Sequence, residues 1–253
     1  AFLYNLRAAG DGAVAQVDQR DANGAVTGFE LWSIQGLTAK LVDSNTGFLF
    51  EDEVAGMGNL VFFEDEGGPD GAVLGIYNHA TESRITVDFV PGIADEYREM
   101  TAVGDVVYAR ALLDADGNRG LVRIEADGDV EVIDLGIDDD GYPRQLSLVN
   151  DTTLAALVYD PDTDAMRMVI VDETDGTPTM SWRDLSPWGI RGAPFNAHGM
   201  EVYNGDLYFF AESSAYNDDM VLVRYDLDTE QAWLQFVTSG SVRSSYDDYA
   251  NGF

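Results

Sequence analysis

The 253-residue chain has no cysteine, a single lysine (Lys40) and two histidines (His79 and His198). Without cysteine there is no disulfide, no thiolate zinc site and no cysteine nucleophile, and the redox compartment stays open. A catalytic zinc site on two histidines alone is poorly supported. No apolar run of about 18 residues and no basic-then-apolar leader occurs in these residues, so neither a membrane span nor a targeting segment is expected. The nucleophile elbow G-x-S-x-G is missing, as are the phosphate-cradling G-x-x-x-x-G-K-[ST] and G-x-G-x-x-G loops. Serine-triad and nucleotide chemistry therefore lack support. Sustained helical periodicity is also absent.

Acid is abundant instead. Thirty-two Asp and 14 Glu stand against 13 Arg and one Lys, a net charge of −32. Apolar residues make up 45% and aromatics 11%, enough for a core, so this is no disordered acidic tail. Such a surface repels nucleic acid and anionic membranes, which excludes both as partners. Molar salt or divalent cations would screen its self-repulsion. Asp-rich, Lys-poor composition is similar to that of salt-adapted or calcium-dependent secreted proteins. The plainer alternative is a very soluble acidic surface.

Short alternating segments rich in Val, Leu, Phe and Tyr recur between Gly, Asp and Asn. Five of them align: NLRAAGDGAVAQVD, EVAGMGNLVFFED, EMTAVGDVVYARA, QLSLVNDTTLAAL and GMEVYNGDLYFFAE. Their apolar anchors are Leu6, Val54, Met100, Leu146 and Met200, spaced 48, 46, 46 and 54 residues apart. Four residues beyond each anchor comes Gly10, Gly58, Gly104, Asn150 or Asn204, types that tolerate a left-handed turn. A second, third and fourth strand follow in every unit. Four short antiparallel strands per unit of about 45 residues predict the blades of a β-propeller. The expected fold is all-β, a five-bladed β-propeller forming one domain over 1–253. Its blades fall at about 1–46, 47–92, 93–138, 139–186 and 187–240, with a tail at 241–253. The tail either closes the ring on the first blade or begins another one.

GFELWSIQG, after DANGAVTG, resembles the ELW-type repeats of large secreted bacterial surface proteins, in which a VGN-LYF strand precedes an ELW-SDG strand. That resemblance implies a propeller used for display or binding outside the cell, often beside calcium-dependent modules. Five-bladed propellers also include lectins and arabinan-cleaving glycosidases, an analogy of fold alone.

Two acidic loops are candidate metal sites. Asp114, Asp116 and Asn118 fall at alternate positions of LLDADGNRG, and Asp160, Asp162 and Asp164 do the same in YDPDTDAM. Calcium takes six to eight hard oxygens, and alternate acids on a tight loop can supply about three. An EF-hand is excluded because both loops lie between strands, and Arg119 stands where its glycine belongs. The alternative is hairpin chemistry, for which Asp, Asn and Gly are the favoured residues.

Propellers bind ligands where inter-blade connections gather at a channel mouth. SPWGIRGAPFNA is the longest connection and carries Trp188, Arg191 and Phe195, with His198 just beyond. Two residues before the anchors stand Tyr4, Asp52, Arg98, Arg144 and His198, which circle one mouth if the repeat holds. Arg98, Arg144, Trp188, Arg191 and His198 are thus the candidate ligand-binding residues for a glycan or protein. The structural alternatives are salt bridging of the arginines, to Glu53 among others, and aromatic capping of the core. His79, in YNHATES, reads as a solvated turn residue. A glycosidase needs only paired carboxylates facing a cleft, for which Asp52, Glu53, Glu99 and Glu201 qualify, but no spacing selects a pair. The favoured function is a non-catalytic, extracellular or surface-associated binding or assembly module. The alternatives are a structural component contacting neighbouring copies in a surface layer or virion, and a glycosidase.

If the two acidic loops hold calcium, millimolar calcium raises the melting temperature and a chelator lowers it. Identical melting curves in both would leave the loops as turns.

Overall fold

The computed structural model describes residues 3–46, 49, 53–68, 71–87, 97–113, 119–135, 142–160, 163, 165–191, 198–216 and 219–236. Among them there is no α-helix; the chain is all-β, in antiparallel sheets of four strands with one addition. The first sheet holds β1 (Leu3–Ala9), β2 (Gly12–Arg20), β3 (Val26–Gln35) and β4 (Thr38–Thr46) in chain order. The second holds β5 (Val54–Met57), β6 (Leu60–Gly68), β7 (Gly71–Asn78) and β8 (Ser83–Val87). The third is built from β9 (Tyr97–Val103), β10 (Val106–Leu112), β11 (Arg119–Ile124) and β12 (Val130–Ile133). β13 (Tyr142–Asn150), β14 (Thr153–Asp160), β15 (Ala165–Asp172) and β16 (Thr179–Asp184) make the fourth. In the fifth, β18 (His198–Tyr203), β19 (Asp206–Ser213), β20 (Asp219–Asp226) and β21 (Gln231–Phe236) are joined by β17 (Ile190–Arg191), which pairs with the far end of β19. The strands read from the repeats are these strands.

The chain divides into two compact units, 1–139 with the first three sheets and 140–253 with the last two. Within each unit, sheets pack face to face. Successive residues of a strand point to opposite faces. Phe63, Val61 and Tyr77 of the second sheet accordingly pack with Val14, Leu31 and Val42 of the first. Phe62, Leu74 and Ile76 turn the other way, onto Met100, Val107, Val122 and Ile124 of the third. In the second unit Leu157, Met166 and Met168 of the fourth sheet meet Leu207, Phe209, Val221 and Val223 of the fifth.

The turn residues explain how closely the sheets approach. Gly10, Gly58, Gly104 and Asn204 all have left-handed φ, from 52° to 58°. Asn150 takes another route, its Oδ1 accepting the Thr152 N–H at 3.0 Å. A Cβ on Gly10 would stand 2.5 Å from the Gly58 carbonyl oxygen, so the first turns of two neighbouring sheets touch backbone to backbone. The Asp11 N–H donates to that same oxygen at 3.3 Å. Of the anchors, Val54, Met100 and Met200 are buried, whereas Leu6 is 62% exposed.

Within the connection SPWGIRGAPFNA, Ser186–Trp188 form a 3-10 turn and Ile190–Arg191 a strand. Glu125 opens the turn after β11, its carbonyl accepting the Gly128 N–H and its own N–H donating to the Asp129 carbonyl.

Candidate functional site

Opening strands of the sheets carry Arg98, Arg144 and His198 among the candidate ligand residues. In four of the five sheets the opening strand has a register shift near its anchor: at Leu3/Asn5 in β1, opposite Tyr108/Arg110 in β9, at Pro143/Gln145 in β13 and at His198/Glu201 in β18. A bulge leaves a residue unpaired and re-aims what it carries. Tyr4, Arg98, Arg144 and His198 all lie at or beside these bulges. In β9 the bulge puts Glu99 at φ 54°, a conformation a non-glycine residue adopts at a cost. The side chains of Tyr4, Arg144 and His198 and the whole of Asp52 and Phe195 lie outside the described residues.

Arg98 is described, and its Nη2 stands 3.4 Å from Oε1 of Glu53, a carboxylate buried at the head of the second sheet. This is the ion pair anticipated as the structural role, though 32% of the arginine side chain stays open. Glu99 stands 3.7 Å from Nη1 of Arg110. Of the carboxylates considered for glycoside hydrolysis, Glu53 and Glu99 are thus in ion pairs, and Glu201 is exposed on β18.

Trp188 is half-buried at the end of its 3-10 turn, meeting the Tyr225 ring edge-on with centroids 6.0 Å apart. That is the core-capping role. Arg191 is exposed on β17, opposite Glu212 of β19.

The metal candidates are only partly visible. Asp114, Asp116, Asn118, Asp162 and Asp164 lie outside the described residues. Asp160 ends β14 and is held by Arg167, whose Nη2 is 2.9 Å from Oδ2. Among the described residues no three Asp, Glu or His side chains cluster as metal ligands would. Other acidic loops are turn chemistry. The carboxylates of Asp21, Asp172, Asp184 and Asp226 each accept the backbone N–H two residues on, at 2.8 to 2.9 Å. Hydrogen bonds to Ala25 and Asn23 hold the Asp21 carboxyl below its usual range, and those to Thr174, Ser186 and Thr229 do the same for Asp172, Asp184 and Asp226. These carboxylates favour the fold above the ordinary carboxylate range and lose that contribution as acid protonates them.

The other histidine is a correction to the sequence reading. His79 is 4% exposed, not solvated. Its Nδ1 lies 2.9 Å from Ser33 Oγ and its Nε2 3.2 Å from Thr38 Oγ1, joining the first sheet to the second. Its N–H donates to Asn59, and its carbonyl accepts Lys40 Nζ at 2.8 Å. Lys40 in turn pairs with Glu82. Burial and the Lys40 charge hold the imidazole below its usual value of 6.5, against an opposing pull from Glu82. The ELW motif is similarly structural: Leu31 is buried, while Glu30 accepts from the Trp32 indole at 3.0 Å and from Gln19 at 3.1 Å.

A feature that sequence reasoning missed lies on the fifth sheet. Tyr208, Arg224 and Trp233 stand in one cross-strand row on the face opposite the one that packs on the fourth sheet. Strict alternation in GDLYFFAE, VLVRYD and QAWLQF carried the signal.

Comparison with known proteins shows fold only. No family model matches the chain, and no curated protein matches it in sequence. Solved structures do. A puromycin-hydrolyzing peptidase of Mycobacterium tuberculosis aligns with TM-score 0.56 and 13% identity over 93% of this chain and 39% of its own. Prolyl oligopeptidase B from Galerina marginata gives 0.58 and 13% over 92% and 34%. Dipeptidyl peptidase 4 of Porphyromonas gingivalis gives 0.56 and 14% over 94% and 40%. The fold is that of the β-propeller domains of peptidases. This chain spans two fifths or less of the length of these three proteins.

The buried imidazole generates a test. Because the fold favours the neutral ring, the unfolded chain takes up a proton first as pH drops below 6.5, and stability falls from there down to the folded-state pKa. The stability that His79 confers over His79→Gln is therefore larger at about pH 8 than at about pH 5. Urea unfolding of both proteins at each pH checks this; a pH-independent difference contradicts it.

Proposed function

We propose that this chain is a five-bladed β-propeller acting as a non-catalytic binding or assembly module at the cell surface or outside the cell. The observation that carries the reading is the bulge repeated in the opening strands. It brings Tyr4, Arg98, Arg144 and His198, a phenol, two guanidiniums and an imidazole, to equivalent positions of a repeated scaffold. In a propeller those positions surround one mouth of the channel, and varied side chains on a rigid repeat suit recognition. Two of 13 arginines stand there in a protein of charge −32, which suits a carboxylate-bearing glycan or peptide. Arg191 adds an exposed cation on the connection to the last blade.

Other features support the reading without catalysis. His79 is buried, and Glu53 and Glu99 are in ion pairs. The net charge argues against nucleic acid and anionic membranes, and no described helix is long and apolar enough to cross a membrane. Calcium at the loops of Asp114 and Asp162 belongs to the same proposal, since ions there would offset part of the charge. Because the similar proteins are peptidases that match only in part, their chemistry is not transferred.

The experiment is a glycan array with acidic and neutral oligosaccharides, run on the chain and on Arg98→Ala/Arg144→Ala. Loss of about tenfold in affinity for uronate-bearing ligands is expected on removing both cations. Unchanged binding removes the arginines from the site. Release of free sugar from a polysaccharide panel would replace the module reading with the glycosidase one.

A further inference from the structure

We infer that Asn150 is an N-glycosylation site, its side-chain amide the acceptor for an oligosaccharide delivered on a lipid pyrophosphate. This rests on the extracellular part of the proposed function.

The chain has 11 asparagines, and only Asn150-Asp151-Thr152 spells the acceptor triplet N-x-[ST] with a middle residue other than proline. The triplet falls where the fourth sheet departs from the repeat. In the other four sheets the aligned residue, Gly10, Gly58, Gly104 or Asn204, is the first of two turn residues and has left-handed φ. In the fourth the register passes over Val149, Asn150 pairs with Thr153, and Asp151 and Thr152 make the turn.

That turn presents the triplet. Asn150 and Asp151 are exposed, and Thr152 is partly so. Asn150 Oδ1 accepts the Thr152 N–H at 3.0 Å and the Thr152 hydroxyl at 3.3 Å. The Thr174 hydroxyl, 3.2 Å from that of Thr152, donates in turn to Asp172. The amide oxygen and the threonine hydroxyl are therefore held side by side. Nδ2 of Asn150 has no hydrogen-bond partner among the described residues and is left for chemistry.

Turn formation alone does not call for asparagine here. Asp21, Asp172, Asp184 and Asp226 make the same bond to the N–H two residues on, and the chain holds 32 Asp. Aspartate at 150 would close this turn equally well and would lack only Nδ2. Asn78 makes a similar turn, but Ala80 stands two residues on and supplies no hydroxyl.

The transfer balances without an oxidant or reductant. Nδ2 attacks the anomeric carbon of the reducing-end sugar, and an N–C bond forms. The bond from that carbon to the pyrophosphate oxygen breaks, the lipid pyrophosphate leaves with the electron pair, and Nδ2 gives up one proton. Asn150 ends β13, and Arg144 lies near its start, about 20 Å away along an extended strand. A glycan on Asn150 thus leaves the opening-strand positions clear.

The test is mass spectrometry of the tryptic peptide Gln145–Arg167, which holds the whole triplet. It is taken from the protein of the natural source and from the same chain secreted by a host cell that N-glycosylates. The expected result in both is a ladder of monosaccharide mass increments on Asn150. In the host the ladder is lost in Asn150→Gln and Thr152→Ala and kept in Thr152→Ser, with melting profiles recorded to separate a lost acceptor from a misfolded chain. An unmodified peptide from both sources overturns the site and leaves the module reading to the glycan array. A peptide modified in the secreting host alone overturns the inference together with the extracellular part of that reading. A sugar that survives Asn150→Gln sits on a hydroxyl and overturns it as well.

Discussion

Every sheet in this protein has apolar side chains on both faces of its middle strands, and none can bury both alone. Phe62 and Phe63 are neighbours in sequence, yet each is fully buried in a different cluster, one against the third sheet and one against the first. Burying a side chain of that size is worth about 1.5–3 kcal/mol, and each middle strand contributes several. Stability therefore comes from stacking, as in repeat architectures generally. The contact of Gly10 with the Gly58 backbone follows from that stacking, because a side chain on Gly10 would force the two turns apart.

Polar groups then act as clips between stacked sheets. His79 ties the second sheet to Ser33 and Thr38 of the first. Glu64, itself buried, accepts the Tyr97 N–H at 2.9 Å at the start of the third sheet. Burial, with the Glu64 charge, pushes the Tyr97 phenol up to about 12, so it stays neutral there. Arg98 and Glu53 add an ion pair between the same two sheets. Much of the acidity is local. Aspartate is short enough to accept the N–H two residues on, which glutamate reaches less well, and the sequence has 32 of one and 14 of the other. Asp21, Asp172, Asp184 and Asp226 show the pattern.

The repeats made the strands legible. A left-handed turn residue at a fixed offset from an apolar anchor, followed by alternating Val, Leu, Phe and Tyr, marks a hairpin wherever it falls. The side-chain roles were harder to read. YNHATES looks like any polar turn, and only the stacked first sheet buries His79; no local pattern announces a neighbour 46 residues away in sequence. Leu6 matches the anchor pattern yet is exposed, because periodicity identifies a strand position without saying what covers it. Trp188 looked equally suited to a ligand and to the core, and Tyr225 places it at the core. The row from Tyr208 to Trp233 was present as alternation, but its register across three strands is a tertiary fact.

Native-state hydrogen exchange, resolved by strand, tests the stacked-sheet account most directly. Doubly covered middle strands open only with the whole unit, whereas fourth strands, at the free edge of each sheet, open locally. The account predicts the strongest protection in β6 and β7, the middle strands packed on both faces, and early exchange in β4, β8, β12, β16 and β21. Fourth strands as protected as the middle ones would contradict it, because some element beyond the sheets would then have to cover their edges.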